Sequence, residues 1–223
     1  MHITTPPELT DFLWEGALEP PQAVRAAELP RASIGAPAQW ADGQLLGEKW
    51  QPPVGGHRYH LVRLAFSLRP EGRAQVTSAE FHVGLSAQGQ KRAIAFDAFP
   101  REQLQEQALA VTLGLGPDFK LGAAEASLAK AETTIDFGYA LPIIRVDGLQ
   151  ESNFRWIYAA HPKHPLAGSR QMYVVIQLPP DMPGTLATLE LTVTLEDRLG
   201  PLRVSTPATA RTRLRWVVGE SRM

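Results

Sequence analysis

The histidines are the residues in this sequence with the clearest potential for chemistry, because neutral imidazole is a common metal ligand. His57 and His60 are three positions apart in a stretch with a strand pattern, so their side chains point to opposite faces. His161 and His164 fall in a polar loop where they could converge, but Lys163 between them disfavours a bound cation. We therefore predict no metal site and no cofactor.

Motifs of nucleotide-binding and hydrolytic enzymes are also missing from the sequence. The segment 84–91 approaches a phosphate-loop spacing, but Gln90 separates its last glycine from Lys91, and no Ser or Thr follows. No Gly-x-Gly-x-x-Gly and no Gly-x-Ser-x-Gly occurs. The chain is predicted not to be an enzyme, with a catalytic site dispersed over several strands as an alternative.

The candidate binding residues are aromatic and basic. Arginines at alternate positions of one strand would form a linear basic stripe with steps of about 7 Å, and tryptophans offer flat stacking surfaces. The alternatives are that the arginines form a solvated face and that Trp156 is a core residue. The candidates are Trp14, Trp40, Trp50, Trp156, Arg155, His161, His164, Arg211, Arg213 and Arg215.

Composition restricts the class of partner and the compartment. The formal net charge of −1 over 223 residues gives no broad positive field for nucleic acid. The absence of cysteine excludes disulfides and thiolate metal sites. No apolar run is long enough for a transmembrane helix, and the first residues lack a secretory signal pattern. These features predict a soluble, cytoplasmic protein, and the excess of arginine over lysine suggests a bacterial source.

The elements that must position these residues have the period of two that is typical of half-buried strands. Alternating runs at 57–69 and 78–85 could form a hairpin, and the clearest run contains Leu189, Leu191, Val193 and Leu195. About nine or ten such strands, with little helix, predict an all-β antiparallel β-sandwich or flattened barrel. The domain spans residues 57–223. Residues 1–56 are predicted to be a proline-rich arm that packs on this body or on a partner, with short helical turns around 7–14 and 20–28.

The segment 119–137 is the main ambiguity of the fold. Its Ala-rich part, 121–132, consists of strong helix formers, but Phe119, Leu121, Ile135 and Phe137 share a period-two face that favours strand. A membrane-inserting hairpin would need the charges of this segment on a single face. The charged residues of this segment do not all fall on one face, so the pattern required for insertion is broken: Lys120, Glu125, Lys130, Glu132 and Asp136.

Without a catalytic motif, the leading hypothesis for function is a non-catalytic module for protein interaction or assembly. It would bind another protein, which could be encoded in the same operon, or a second copy of itself through its N-terminal arm and strand-end loops. The alternative is a sandwich that binds a small molecule or glycan by Trp and Tyr stacking. Pore formation and a dispersed-site enzyme are the remaining hypotheses.

Overall fold

The structure is a computed structural model, and it describes residues 12–18, 30–41, 54–70, 75–103, 109–113, 133–137, 143–161, 166–199, 202–209 and 214–219. These residues contain fifteen strands and no helix. The strands are β1 (Phe12–Ala17), β2 (Arg31–Gly35), β3 (Ala38–Ala41), β4 (Arg58–Arg69), β5 (Gln75–Leu85), β6 (Ile94–Phe99), β7 (Glu102–Gln103), β8 (Leu109–Leu113), β9 (Thr133–Phe137), β10 (Ile143–Asp147), β11 (Asn153–Ala159), β12 (Gly168–Leu178), β13 (Gly184–Leu199), β14 (Leu202–Thr209) and β15 (Leu214–Gly219).

Thirteen of these strands form two antiparallel sheets. Sheet A has the order β1-β2-β4-β12-β6, with β3 also paired to β4. Sheet B has the order β14-β13-β5-β11-β10-β7, with β15 also paired to β13. The predicted all-β antiparallel sandwich is confirmed. Several strands have five residues or fewer, and alternation cannot identify strands this short in the sequence. The predicted number of nine or ten strands is therefore roughly consistent with the structure but lower than the number of strands in the described residues.

The main core lies between the two sheets. Phe66 of sheet A stacks on Phe81 of sheet B, with ring centroids 5.8 Å apart, and meets Tyr158 edge-on at 5.3 Å. The predicted alternation in β13 is confirmed, because Leu189, Leu191, Val193 and Leu195 are all buried in this core. Burial of one such side chain contributes about 1.5–3 kcal/mol.

The second face of sheet A is also buried. Its outer cluster consists of Tyr59, Leu61, Tyr173 and Val175, against which Trp40, Phe96 and Phe99 pack. The prediction of a half-buried strand at 57–69 is therefore wrong, since β4 is a central strand with buried residues on both faces. The desolvation of this cluster raises the pKa of Tyr59 and of Tyr173.

The connection from β4 to β5 passes from one sheet to the other. β4 pairs with β2, β3 and β12, whereas β5 pairs with β11 and β13. The predicted hairpin between them is therefore wrong. Each of the two strands pairs instead with strands that are distant in the sequence. β4 and β12, for example, share eleven paired positions.

Part of the N-terminal region belongs to sheet A, as strands β1, β2 and β3. Residues 12–14 begin a strand, so the helical turn expected around 7–14 is wrong there. The turn expected at 20–28 lies outside the described residues. The division of the chain at residue 56 stays a prediction.

Candidate functional site

The β8–β9 ladder, formed by residues 109–113 and 133–137, is a two-stranded antiparallel sheet of its own. Among the described strands, β8 and β9 pair with each other and with neither sandwich sheet. The paired positions run from Leu109 opposite Phe137 to Leu113 opposite Thr133. Nineteen residues connect the two strands, and the register is symmetric about position 123.

The register of the β8–β9 ladder separates apolar from polar positions. Directly paired residues of an antiparallel ladder lie on the same face, and successive residues alternate between faces. One face therefore takes Leu109, Val111, Leu113, Thr133, Ile135 and Phe137. The other takes Ala110, Thr112, Thr134 and Asp136. The ladder has an apolar face and a polar face.

The sequence between the two strands continues this alternation in part, with departures at Ser127 and Leu128. The residue types at odd positions include Leu115, Phe119 and Leu121, which match the apolar face. The charges at even positions match the polar face, and they are Asp118, Lys120, Lys130 and Glu132. Glu125 alone among the charges of 114–132 has an odd number, and it is two positions from the midpoint of the register. Of the charges on which the predicted broken pattern depends, Lys120, Glu125, Lys130 and Glu132 lie outside the described residues, so that interpretation stays a prediction.

A polar cleft of about 730 Å³ lies on the outer face of sheet B. Its floor is Gly84, whose paired neighbours are Thr188 of β13 and Asn153 of β11. The absence of a side chain at position 84 opens the space between these two neighbours. A Cβ placed there would be 3.1 Å from the Asn153 Oδ1 atom.

The charged residues at this cleft form a row across four strands. Glu190, His82, Arg155 and Asp147 occupy successive paired positions of β13, β5, β11 and β10. Arg155 donates to Glu80 Oε2 at 3.0 Å and to Asp147 Oδ2 at 3.3 Å, and His82 Nε2 is 3.1 Å from the same Glu80 oxygen. These groups are partly exposed, and such pairs contribute about 0–1 kcal/mol each. The guanidinium of the predicted binding residue Arg155 is engaged within the sheet.

The described tryptophans have structural partners. Trp14 packs against the main core, and Trp40 packs against the outer cluster. Trp156 is fully buried, and its Nε1 donates to the carbonyl oxygen of Pro100 at 3.1 Å. Trp156 is therefore a core residue and does not offer an exposed surface for binding. Trp50 lies outside the described residues.

The predicted basic and histidine sites are only partly within the described residues. Arg215 is exposed in β15, which begins at Leu214. Arg211, Arg213 and His164 lie outside the described residues. His161 is half-buried at the end of β11, next to Ala160. The described members of the predicted set lie on different strands, and the set as a whole stays a prediction.

Arg170 is a polar residue of the core-facing side of β12 that the sequence analysis missed. It is paired with Phe66 and precedes the buried Met172 on the same face. Its Nε atom and the hydroxyl oxygen of Tyr158 are buried without a hydrogen-bond partner. Burial lowers the pKa of Arg170 and raises the pKa of Tyr158. An arginine in an otherwise apolar alternating run was the available signal.

Within the part of the chain that the structure describes, no three His, Cys, Asp or Glu side chains are grouped so that they could hold a metal ion. No helix there has the length and apolar character needed to cross a membrane.

Comparison with known proteins gives similarity in structure only. No protein-family model matches the chain, and no curated protein matches it. One similar solved structure is named "Pore forming protein", with a TM-score of 0.42, 8% identity, and coverage of 90% of this chain and 94% of that chain. A second is the Clostridium perfringens NetB toxin in the membrane inserted form, with a TM-score of 0.34, 8% identity and coverage of 92% and 94%. A third is Clostridium perfringens delta-toxin, with a TM-score of 0.40, 7% identity and coverage of 87% and 90%.

These comparisons contradict the functional prediction made from the sequence. The sequence predicted a soluble, cytoplasmic module for protein interaction, whereas the similar structures are named as a pore-forming protein and as toxins. The predicted function and the cytoplasmic location are therefore wrong. The prediction depended on missing catalytic motifs, and a protein that acts on a membrane lacks those motifs as readily as an interaction module does.

Proposed function

We propose that this protein forms pores in lipid membranes by inserting a β-hairpin that spans residues 109–137. The observation that carries the proposal is the register of the β8–β9 ladder, which separates an apolar face from a polar one. A strand that crosses a membrane alternates in the same way, with apolar residues toward lipid and polar residues toward water.

The length of the segment fits a bilayer. A membrane-crossing strand needs roughly 9–11 residues. With the register extended around its midpoint at position 123 and residues 121–125 taken as the tip, each arm of the hairpin has twelve residues, 109–120 and 126–137. Glu125 then falls at the tip of the hairpin, where it would emerge on the far side of the bilayer and meet water.

A single hairpin cannot cross a membrane alone, because the outer edges of both strands would leave backbone N–H and C=O groups without partners in lipid. Several copies must therefore pair edge to edge until the ring closes. The proposed partners are further copies of this chain, and no enzymatic step is needed. The sandwich would remain outside the bilayer, since most of its described large apolar residues are already buried, with Phe12, Leu13 and Val54 as the exposed ones.

The test is release of an encapsulated dye from lipid vesicles by the purified protein, with Val111→Asp as the main variant. A charge on the apolar face would have to enter lipid, at a cost that is greatest at the midplane and falls to about 1 kcal/mol or less toward the interfaces, where Val111 lies. We expect Val111→Asp to reduce the rate of release by about threefold or more, since each hairpin of the ring carries the cost.

Thr112→Asp is the matched control, because it introduces the same charge one position away on the polar face. We expect it to retain most of the dye release. Far-UV circular dichroism and thermal unfolding of both variants check that the sandwich is intact. The absence of release by the natural sequence, or equal loss in both variants, would contradict the proposal.

A further inference from the structure

The polar face of the β8–β9 ladder carries one charged position, and that position is acidic. Ala110, Thr112 and Thr134 are the other residues of this face. Asp136 is paired with Ala110, next to the final pair of Leu109 with Phe137. Asp136 is therefore close to the end of the hairpin that joins the sandwich.

The charges at even positions of the connecting sequence balance one another. In the connecting sequence, the even positions carry two acids, Asp118 and Glu132, and two lysines, Lys120 and Lys130. Asp136 is the charge left over, so each hairpin brings a net charge of −1 to its polar face. Because successive copies repeat the same positions, every copy adds one carboxylate at the same height.

We propose that the pore is selective for cations and that a ring of Asp136 carboxylates near its sandwich-side mouth sets this selectivity. This inference rests on the proposed function. Rings of acidic side chains in a narrow water-filled path attract cations and repel anions. The low-dielectric wall of the path concentrates the field of the ring on the permeating ion.

The experiment measures the reversal potential of the intact protein in planar lipid bilayers under a potassium chloride gradient. We expect the natural sequence to give a permeability ratio of K⁺ to Cl⁻ above one. We expect Asp136→Asn to lower this ratio toward one, and Asp136→Lys to reverse the sign of the reversal potential. The shift should diminish at high salt, where the charge of the ring is screened.

Glu151→Gln is the matched control, because it removes one negative charge from an exposed loop of the sandwich. We expect its reversal potential to equal that of the natural sequence. Channels of the natural sequence that prefer anions, or channels of Asp136→Asn with unchanged selectivity, would overturn the inference and leave pore formation intact. A complete absence of channels in the natural sequence would overturn the proposed function as well.

Discussion

The hydroxyl of Tyr158 is buried in the main core without a hydrogen-bond partner. Because burial raises the pKa of Tyr158, this group stays protonated at neutral pH. A buried hydroxyl without a partner costs about 1–3 kcal/mol of desolvation. We expect Tyr158→Phe to leave the free energy of unfolding unchanged or to raise it by up to about 1 kcal/mol, measured by urea denaturation.

Trp156→Phe is the contrasting variant on the same strand. It removes the hydrogen bond from Nε1 to the Pro100 carbonyl and leaves a buried acceptor unpaired. We expect it to lower the free energy of unfolding by at least about 1–3 kcal/mol. A loss of that size in Tyr158→Phe would show that the tyrosine hydroxyl has a partner in solution, against the expectation.

The turn between β10 and β11 depends on Gly148. Its φ of 81° lies in the left-handed region that favours glycine. A Cβ at this position would collide with the carbonyl oxygen of Asn153 and lie 2.9 Å from the Cα of Phe154. We expect Gly148→Ala to lower the free energy of unfolding by at least about 1–3 kcal/mol, measured by urea denaturation.

Gly55→Ala, before β4, is the control for Gly148→Ala. Apart from its two neighbours in the chain, no described atom lies within 4 Å of a Cβ added at Gly55. We expect it to change the free energy of unfolding by less than about 0.5 kcal/mol. Similar effects in the two variants would mean that the collision at Gly148 does not decide the stability of the turn.

Local chemistry explains which elements the sequence predicts correctly. The alternation of β13 depends on neighbouring residues, and it was predicted correctly. The pairing of β4 with β12 joins segments about a hundred positions apart, and no local pattern encodes it. The short β3, which has four residues, is stabilised as a strand by pairing with β4.

For the candidate site too, the local sequence pattern gives one part of the answer and the pairing of distant strands gives the other. The sequence already contained the alternation of residues 109–137, but each strand by itself gives a weak pattern. The register of β8 with β9 shows that the apolar positions of both strands share a face. That register also gives the midpoint of the segment, position 123, which is two positions from Glu125. A pairing that joins distant positions was therefore needed to interpret the pattern.

The cooperativity of the sandwich is tested at its centre, where Phe66 of sheet A contacts Phe81 and Tyr158 of sheet B. Because Phe66 is fully buried, Phe66→Ala should lower the free energy of unfolding by about 3–5 kcal/mol. Urea denaturation followed by far-UV circular dichroism and by tryptophan fluorescence should give coincident transitions, since both sheets share one core. Phe96→Ala, in the half-buried rim of the outer cluster, should cost less. Separate transitions for the two probes would show that sheets A and B unfold independently, against the single core that these contacts describe.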